Sequence, residues 1–136
     1  MGKTGNKKKT EKKTVFFIDD ESKWLKTIKQ TLEGEPVRIV TADSGEAALK
    51  KLQRKPPDLI LSDVRMPTMN GFDLFMRVKD NPRLKDVPYI FMSSIDDFDA
   101  IRTAKEIGAD GYIEKPFDSE KIRLIINDLI TKFNRT

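Results

Sequence analysis

Three aspartates, a serine and a lysine stand at the ends of four short apolar runs in this sequence. Asp19 and Asp20 follow V-F-F-I, Asp63 follows L-I-L-S, Ser93 ends Y-I-F-M-S, and Lys115 follows G-Y-I-E. An aspartate where a buried strand ends could hold a metal, act as a nucleophile, or simply end the strand. If the three carboxylates share one crevice they repel each other, and they stay ionised only if a cation neutralises them or one pKa rises.

The ligand chemistry is restricted to oxygen, because the chain has no histidine and no cysteine. That excludes disulfides, thiolate metal sites and thiol nucleophiles, and it removes the commonest general base. Mg²⁺ suits such a set, since it prefers one or two carboxylates together with phosphate oxygens. A lysine opposite the metal would hold a further phosphate oxygen, and a serine hydroxyl would add a hydrogen bond. The set is therefore suited to a phosphoryl group carried on a carboxylate, an aspartyl phosphate.

Predicted strands and helices alternate along the chain from residue 15 onward. Apolar runs predict five strands at residues 15–18, 37–42, 59–62, 89–93 and 111–114. Apolar residues at helical spacing predict five helices, the second with Asp43 or Ser44 as its N-cap and the fourth from about Asp97 to Ile107. The last helix has the clearest apolar stripe, formed by Ile122, Ile125, Ile126, Leu129, Ile130 and Phe133.

The composition of the strands predicts their order in a parallel sheet with helices on both faces. Strands one, three and four are apolar throughout, as is typical of central strands. Strand two carries Arg38 and Thr41, and strand five is short and contains Glu114, as is typical of edges. The order 2-1-3-4-5 fits both observations. This is the flavodoxin-like doubly wound α/β fold, whose ligands bind beyond the carboxyl ends of strands one and three.

The basic character of the chain lies in its first residues. The 136 residues suffice for one domain, and the formal net charge is +4. Residues 1–14 contain six lysines and one glutamate, a charge of +5, which leaves 20 basic and 21 acidic residues, a charge of −1, for the rest. We expect a disordered Lys-rich tail at 1–14 and one domain at 15–136.

The tail is either a solvated segment or a weak electrostatic arm for nucleic acid or an acidic partner. No aromatic residue lies between its lysines, which argues against a nucleic-acid site that works by base stacking and makes nucleic acid an unlikely partner. No apolar run reaches the roughly 20 residues that span a bilayer, and no signal peptide is recognisable. We therefore expect a cytoplasmic protein with no membrane partner.

Four segments resemble the response-regulator receiver domains of two-component signalling, of the chemotaxis-regulator type. They are D-D at residues 19–20, S-D-V-R-M-P-T-M-N-G, M-S-S after strand four, and G-Y-I-E-K-P-F, and the resemblance covers residues 15–133. It implies that Asp63 is the phosphoacceptor, and that Asp19, Asp20 and Asp63 hold Mg²⁺ together with the backbone carbonyl of Arg65.

The resemblance also implies roles for the residues at the ends of strands four and five. Ser93 would be the switch hydroxyl, Lys115 would bind the phosphate, and Tyr112 would turn inward on activation. The peptide bond between Lys115 and Pro116 is expected to be cis. The phosphodonor would be a phosphohistidine of a sensor histidine kinase or a phosphotransfer protein. The domain would be no enzyme, beyond catalysing its own phosphorylation and dephosphorylation.

Other interpretations of these residues stay open from the sequence. Asp20 could simply cap the first helix, and Tyr112 could be an ordinary edge-strand tyrosine. A Mg²⁺-dependent phosphatase with an aspartate nucleophile would need a second acid two residues after it, where Arg65 stands. A scaffold domain that is never phosphorylated would not need the complete acidic cluster or Lys115.

Two further hypotheses concern lifetime and output. Arg65 and Ile95 lie two residues after Asp63 and Ser93, and we hypothesise that they restrict the water that removes the phosphate.

Helix four, with Phe98, Ile101 and Ala104 as its apolar positions, is expected to be the most weakly held. The output face is therefore expected on helix four, strand five and helix five, within residues 95–121. The sequence ends with the fifth helix, and we expect the chain either to act through a partner or as a homodimer, or to be a piece of a longer protein.

Overall fold

The structure, a computed structural model, describes residues 12–115 and 118–133 of the chain. Five parallel strands form one sheet in the order β2-β1-β3-β4-β5, which confirms the predicted order. The strands are β1 Lys13–Ile18, β2 Val37–Ala42, β3 Leu59–Asp63, β4 Tyr89–Ser94 and β5 Gly111–Lys115.

Five helices connect and follow the strands: α1 Ser22–Thr31, α2 Gly45–Arg54, α3 Gly71–Lys79, α4 Phe98–Glu106 and α5 Ser119–Phe133. Ser44 is the N-cap of α2, because its hydroxyl accepts from the Ala47 N–H. Asn70 caps α3 in a reciprocal capping box with Asp73. Among the residues that the structure covers, no helix has both the length and the apolar character needed to cross a membrane.

The central strands bury both of their faces, which is why they are apolar throughout. One face of the sheet, to which β1 contributes Phe16 and Ile18, packs on α2, α3 and α4. The other face of the sheet, to which β1 contributes Val15 and Phe17, packs on α1 and α5. Of the predicted α5 stripe, Ile122 and Ile126 are buried. The side chains of Leu129, Ile130 and Phe133 lie outside the described ones.

The first strand begins earlier than the apolar run predicted. Lys13 and Thr14 belong to β1, where they are paired with Val37 and Arg38 of β2. Backbone pairing needs no apolar side chain, so these two polar residues are part of the sheet and not of the tail. Residues 1–11, the rest of the predicted tail, lie outside the described residues.

The packing of α4 also corrects an expectation. Phe98, expected on the apolar face, is 71% exposed, and the residues that α4 buries are Ala100 and Ala104. Two methyl groups remove little area from water, so α4 is held by a small contact. The weak hold of the fourth helix stays a prediction, and it now rests on Ala104, which the sequence had named, and on Ala100, which it had not.

Candidate functional site

Three carboxylates converge at the carboxyl ends of β1 and β3. Asp19, Asp20 and Asp63 each offer an oxygen, and these oxygens lie within 4.8 Å of one another. Asp19 is fully buried and Asp63 is 8% exposed, whereas Asp20 is exposed. The parallel strands bring these residues together, because their carboxyl ends meet at one edge of the sheet.

Asp19 is fixed by its own backbone and by the turn that follows it. Its N–H donates to the carbonyl of Ala42 over 3.1 Å, and its Oδ1 accepts from the Glu21 N–H over 3.0 Å. Glu21, not Asp20, is the N-cap of α1, and it makes no side-chain capping bond. The interpretation of Asp20 as a helix cap is therefore wrong.

Lys115 reaches the acidic cluster from the end of β5. Its Nζ lies 2.6 Å from Asp19 Oδ2 and 3.5 Å from Asp63 Oδ1. Burial lowers the pKa of Lys115, but the hydrogen bond to Asp19 and the charges of Asp63 and Asp19 outweigh it, so the net shift is upward. The same ammonium lies 5.9 Å from the ring centroid of Trp24 in α1. Lys115 is thus a charged group held between two carboxylates.

The acidity of Asp63 reflects this crowding. Burial, followed by the charges of Asp19 and Asp20, raises the pKa of Asp63 to about 7, although Lys115 acts in the opposite direction. One lysine does not neutralise three carboxylates. A hard divalent cation would supply the remaining charge, and an all-carboxylate set of donors fits Mg²⁺.

The loop from β3 to α3 holds Asp63 through a close backbone contact. A Cβ at Gly71 would collide with the carbonyl oxygen of Asp63, so no other residue fits there without movement. The Gly71 N–H donates to the Val64 carbonyl over 2.9 Å, and the Gly71 carbonyl accepts from the buried Tyr89 hydroxyl over 3.0 Å. Within the loop, Thr68 has a φ of +69°, which is strained for a β-branched residue.

Ser93, at the end of β4, points its hydroxyl at a carboxylate that the sequence had not connected to it. Ser93 Oγ donates to Asp97 Oδ2 over 3.0 Å. Arg65 donates to the same carboxylate twice, from Nε over 2.9 Å and from Nη2 over 2.8 Å. The Arg65 hydrogen bond is the largest cause that lowers the pKa of Asp97 to about 2. The sequence showed Asp97 only as the start of α4, because a contact over 32 residues leaves no local signal.

The remaining predicted residues lie beside this group. Tyr112 pairs with Phe91 in the sheet, and its ring is half-buried. Burial raises the pKa of Tyr112, and the neighbouring Ser93 hydroxyl acts in the opposite direction. Ile95 is exposed at 59%. Pro116 lies outside the described residues, and so does the expected cis peptide bond before it.

Known proteins resemble this chain over most of its length. The profile of the response regulator receiver domain matches residues 15–127. The two-component response regulator ORR3 of Oryza sativa is 34% identical over 119 residues, covering 87% of this chain and 91% of its own. The transcriptional regulator NtrC of Klebsiella pneumoniae is 32% identical over 119 residues, covering 88% of this chain.

A solved structure gives the same comparison in three dimensions. The chemotaxis protein CheY4 of Vibrio cholerae superposes with a TM-score of 0.80 at 28% identity, covering 87% of this chain and 98% of its own. The chain spans only 25% of the length of NtrC, and 41% of the chemotaxis protein CheV3 of Helicobacter pylori. The likeness is therefore to one domain of those larger proteins. This chain belongs to the response regulator receiver domain family of two-component signalling.

Proposed function

We propose that this domain is a phosphoacceptor switch, in which Asp63 takes a phosphoryl group from a phosphohistidine. The observation that carries the proposal is the meeting of three carboxylates with one lysine in a single crevice. The oxygens of Asp19, Asp20 and Asp63 lie within 4.8 Å, and the Lys115 ammonium lies 3.5 Å from Asp63. Asp63 is only 8% exposed, and its Oδ1 is the atom that faces the Lys115 ammonium.

Asp19, Asp20 and Asp63 would hold Mg²⁺, and the backbone carbonyl of Arg65 would complete the protein's share of the ligands. When bound, this ion supplies positive charge that offsets the carboxylates and the oxygens of the transferred phosphoryl group. The raised pKa of Asp63, about 7, supports the need for such a cation, since Asp63 must be ionised to react.

In the transfer step, an oxygen of the Asp63 carboxylate attacks the phosphorus atom. A P–O bond forms and the P–N bond of the phosphohistidine breaks. The imidazole nitrogen keeps the electron pair of that bond and leaves as neutral imidazole when the other ring nitrogen carries a proton. Lys115, already between Asp19 and Asp63, would bind a phosphoryl oxygen and reduce the build-up of negative charge.

Phosphorylation replaces the single negative charge of the Asp63 carboxylate with the roughly two negative charges of an acyl phosphate, a net gain of about one beside Lys115. Ser93 would then move toward the phosphoryl group, and Tyr112 would turn inward. The face formed by α4, β5 and α5 would change as a result. The small buried contact of α4 and the exposed side chains of Ile95 and Phe98 support an output surface there.

The partners follow from this reaction. A sensor histidine kinase or a phosphotransfer protein would supply the phosphoryl group, in the cytoplasm. A downstream protein, an output domain or a second copy of the chain would recognise the altered face. The matched relatives include much longer proteins, of which this chain resembles one domain. If this chain is also part of a longer protein, we propose that its phosphorylation controls the activity of the remaining domains.

The test is incubation with acetyl phosphate and Mg²⁺, followed by intact-mass measurement of the parent, Asp63→Ala and Asp86→Ala. The parent and Asp86→Ala should gain one phosphoryl group, because Asp86 is an exposed acid outside the site. Asp63→Ala should gain none. Modification that survives in Asp63→Ala would contradict the proposal. A parent that binds Mg²⁺ but is modified by neither acetyl phosphate nor beryllofluoride would favour the unphosphorylated scaffold instead.

A further inference from the structure

The carboxylate of Asp97 joins three parts of the molecule that border the proposed switch. Its Oδ2 accepts from Ser93 Oγ over 3.0 Å and from Arg65 Nε over 2.9 Å. Its Oδ1 accepts from Arg65 Nη2 over 2.8 Å and from the Ala100 N–H over 3.3 Å. The end of β4, the loop after β3 and the first turn of α4 therefore meet on one side chain.

Ser93 cannot serve two acceptors with one proton. A serine hydroxyl has a single O–H donor, so its proton points either to Asp97 or to another acceptor. In this structure the donor is directed to Asp97. A phosphoryl group on Asp63 presents oxygens that accept hydrogen bonds and cannot donate one in the ionised form. Any bond from Ser93 to such a group therefore requires that its bond to Asp97 breaks.

Arg65 keeps the Asp97 carboxylate from following Ser93. Its guanidinium makes two parallel hydrogen bonds to the carboxylate, a geometry that fixes direction as well as distance. The Asp97 side chain is 16% exposed, whereas that of Arg65 is 66% exposed. The carboxylate is therefore the more buried and more tightly held partner of the pair. Asp97 is also the N-cap of α4, which fixes the carboxylate relative to that helix.

We propose that Asp97 is a positioning residue, which holds the Ser93 hydroxyl away from Asp63 in the resting state and connects its release to the first turn of α4. The proposal rests on the phosphoacceptor function proposed above. The bond from Ser93 to Asp97 exists only in the resting arrangement, so it opposes phosphorylation by the free energy needed to break it. Removing it shifts the population toward the arrangement that receives the phosphoryl group.

Asp97→Asn separates this role from the capping of α4. Asparagine caps helices as well as aspartate does, so its one amide oxygen can still accept from the Ala100 N–H. Its amide nitrogen cannot accept from Ser93. Beryllofluoride with Mg²⁺, which mimics the phosphoryl group, should bind Asp97→Asn roughly three- to tenfold more tightly than the parent, the range expected for the net contribution of one typical hydrogen bond. The dissociation constant is obtained by fluorine NMR titration.

Asp99→Asn is the matched control. It removes the same charge two residues further along, from a side chain that is 79% exposed and bonded to Arg102. Its affinity for beryllofluoride should equal that of the parent. If Asp99→Asn raises the affinity for beryllofluoride as much as Asp97→Asn does, the effect is a general one of charge and the proposal is overturned.

The effect must also pass through Ser93. In a Ser93→Ala background, Asp97→Asn should leave beryllofluoride affinity unchanged, because the bond that it removes is already absent. If Asp97→Asn raises beryllofluoride affinity by the same factor in the Ser93→Ala background, the proposal is overturned. It is also overturned if Asp97→Asn alone leaves that affinity unchanged or weakens it. If Asp97→Asn does not fold, Asp97→Ser replaces it, since serine also caps α4 but is too short to hold Ser93 in place.

A measurement without any metal gives an independent readout. Three-bond couplings of the Ser93 side chain should report one dominant rotamer in the parent and an average of several in Asp97→Asn. A single rotamer in both proteins would contradict the proposal. The failure of the phosphoacceptor function itself is distinguishable, since the parent would then fail to bind beryllofluoride or would bind it equally after Asp63→Ala.

Discussion

The charge of Asp63 depends on the cation beside it. Without a cation, the pKa of the Asp63 carboxyl in the folded protein is about 7, against an ordinary value of 3.8. As pH rises between these values, the unfolded chain releases its proton while the folded protein retains it. The folded state therefore loses stability over this window, and the loss is complete above about pH 7.

Asp63→Asn removes this loss. At pH 8 without Mg²⁺, urea denaturation should show the variant to be more stable than the parent by on the order of a few kcal/mol. Near pH 4 the two should be almost equally stable. Mg²⁺ should stabilise the parent more than the variant, because it offsets the charge of Asp63. Asp86→Asn is the control, and a pH-independent difference between the parent and Asp63→Asn would contradict the argument.

The lifetime of the phosphoryl group is a second property of single residues. Arg65 stands at the loop after Asp63, held by Asp97, and Ile95 is exposed just beyond Ser93. With the long cation of Arg65 and the branched apolar side chain of Ile95 replaced by polar, unbranched groups, water should reach the aspartyl phosphate more easily. The double variant Arg65→Asn, Ile95→Glu should lose phosphate faster than the parent, about fivefold for a barrier lowered by about 1 kcal/mol.

The rate is measured by following the phosphorylated protein after its donor is removed. Arg102→Asn, which changes an exposed arginine paired with Asp99 away from the site, should keep the parental rate. Equal or slower loss in the double variant would refute the hypothesis.

At the scale of elements, the loop between β3 and α3 sets the position of Asp63. Gly71→Ala should destabilise the protein by about 1–3 kcal/mol, because the added Cβ meets the backbone of Asp63 and Val64, which cannot turn aside as a side chain can. Beryllofluoride affinity should also fall, since Asp63 is displaced. Urea denaturation and fluorine NMR measure the two effects.

Gly45→Ala is the comparison for this loop. The three atoms nearest to the added Cβ there all belong to the side chain of Met69, which can shift. Its loss of stability should be smaller, and beryllofluoride affinity should be retained. If the two variants lose similar amounts of stability and of beryllofluoride affinity, the close contact of Gly71 with the backbone of Asp63 is not the reason that glycine is needed there.

The sequence predicted the elements well where apolar residues determine them. The buried runs around Phe17, Leu61 and Phe91 identified the central strands, and their order placed Asp19 and Asp63 together. It failed at Lys13 and Thr14, where backbone pairing alone extends β1.

Helix α4 shows a second reason for failure. The size of Phe98 suggested that it faced the core, but the residues that α4 buries are Ala100 and Ala104. The contact of Arg65 with Asp97 was equally hidden, because side chains that are distant in sequence meet only in the folded chain. Local patterns thus predicted the frame of the site but not the contacts around Ser93.

At the scale of the whole molecule, the charge is divided between the Lys-rich first residues and a nearly neutral domain. Deleting residues 1–11 removes four lysines and one glutamate and takes the formal net charge from +4 to +1. Beryllofluoride affinity should not change, because the site lies among residues 19–115.

If the tail is an electrostatic arm rather than a solvated segment, binding of the protein to nucleic acid should become less sensitive to salt after this deletion. The slope of log affinity against log salt should fall by roughly one unit for each lysine that had contacted a phosphate. The slope is measured by fluorescence anisotropy of a labelled duplex. An unchanged slope would show that the lysines are merely solvated.

The position of Trp24 gives the molecule an optical property of its own. It is the only tryptophan in the chain, and its ring lies 5.9 Å from the ammonium of Lys115. An indole changes its emission when a nearby charge moves, so the natural fluorescence of the unlabelled protein should follow events beside Asp63. Stopped-flow mixing could then time each arrival and departure of a ligand on the millisecond scale, with no dye attached.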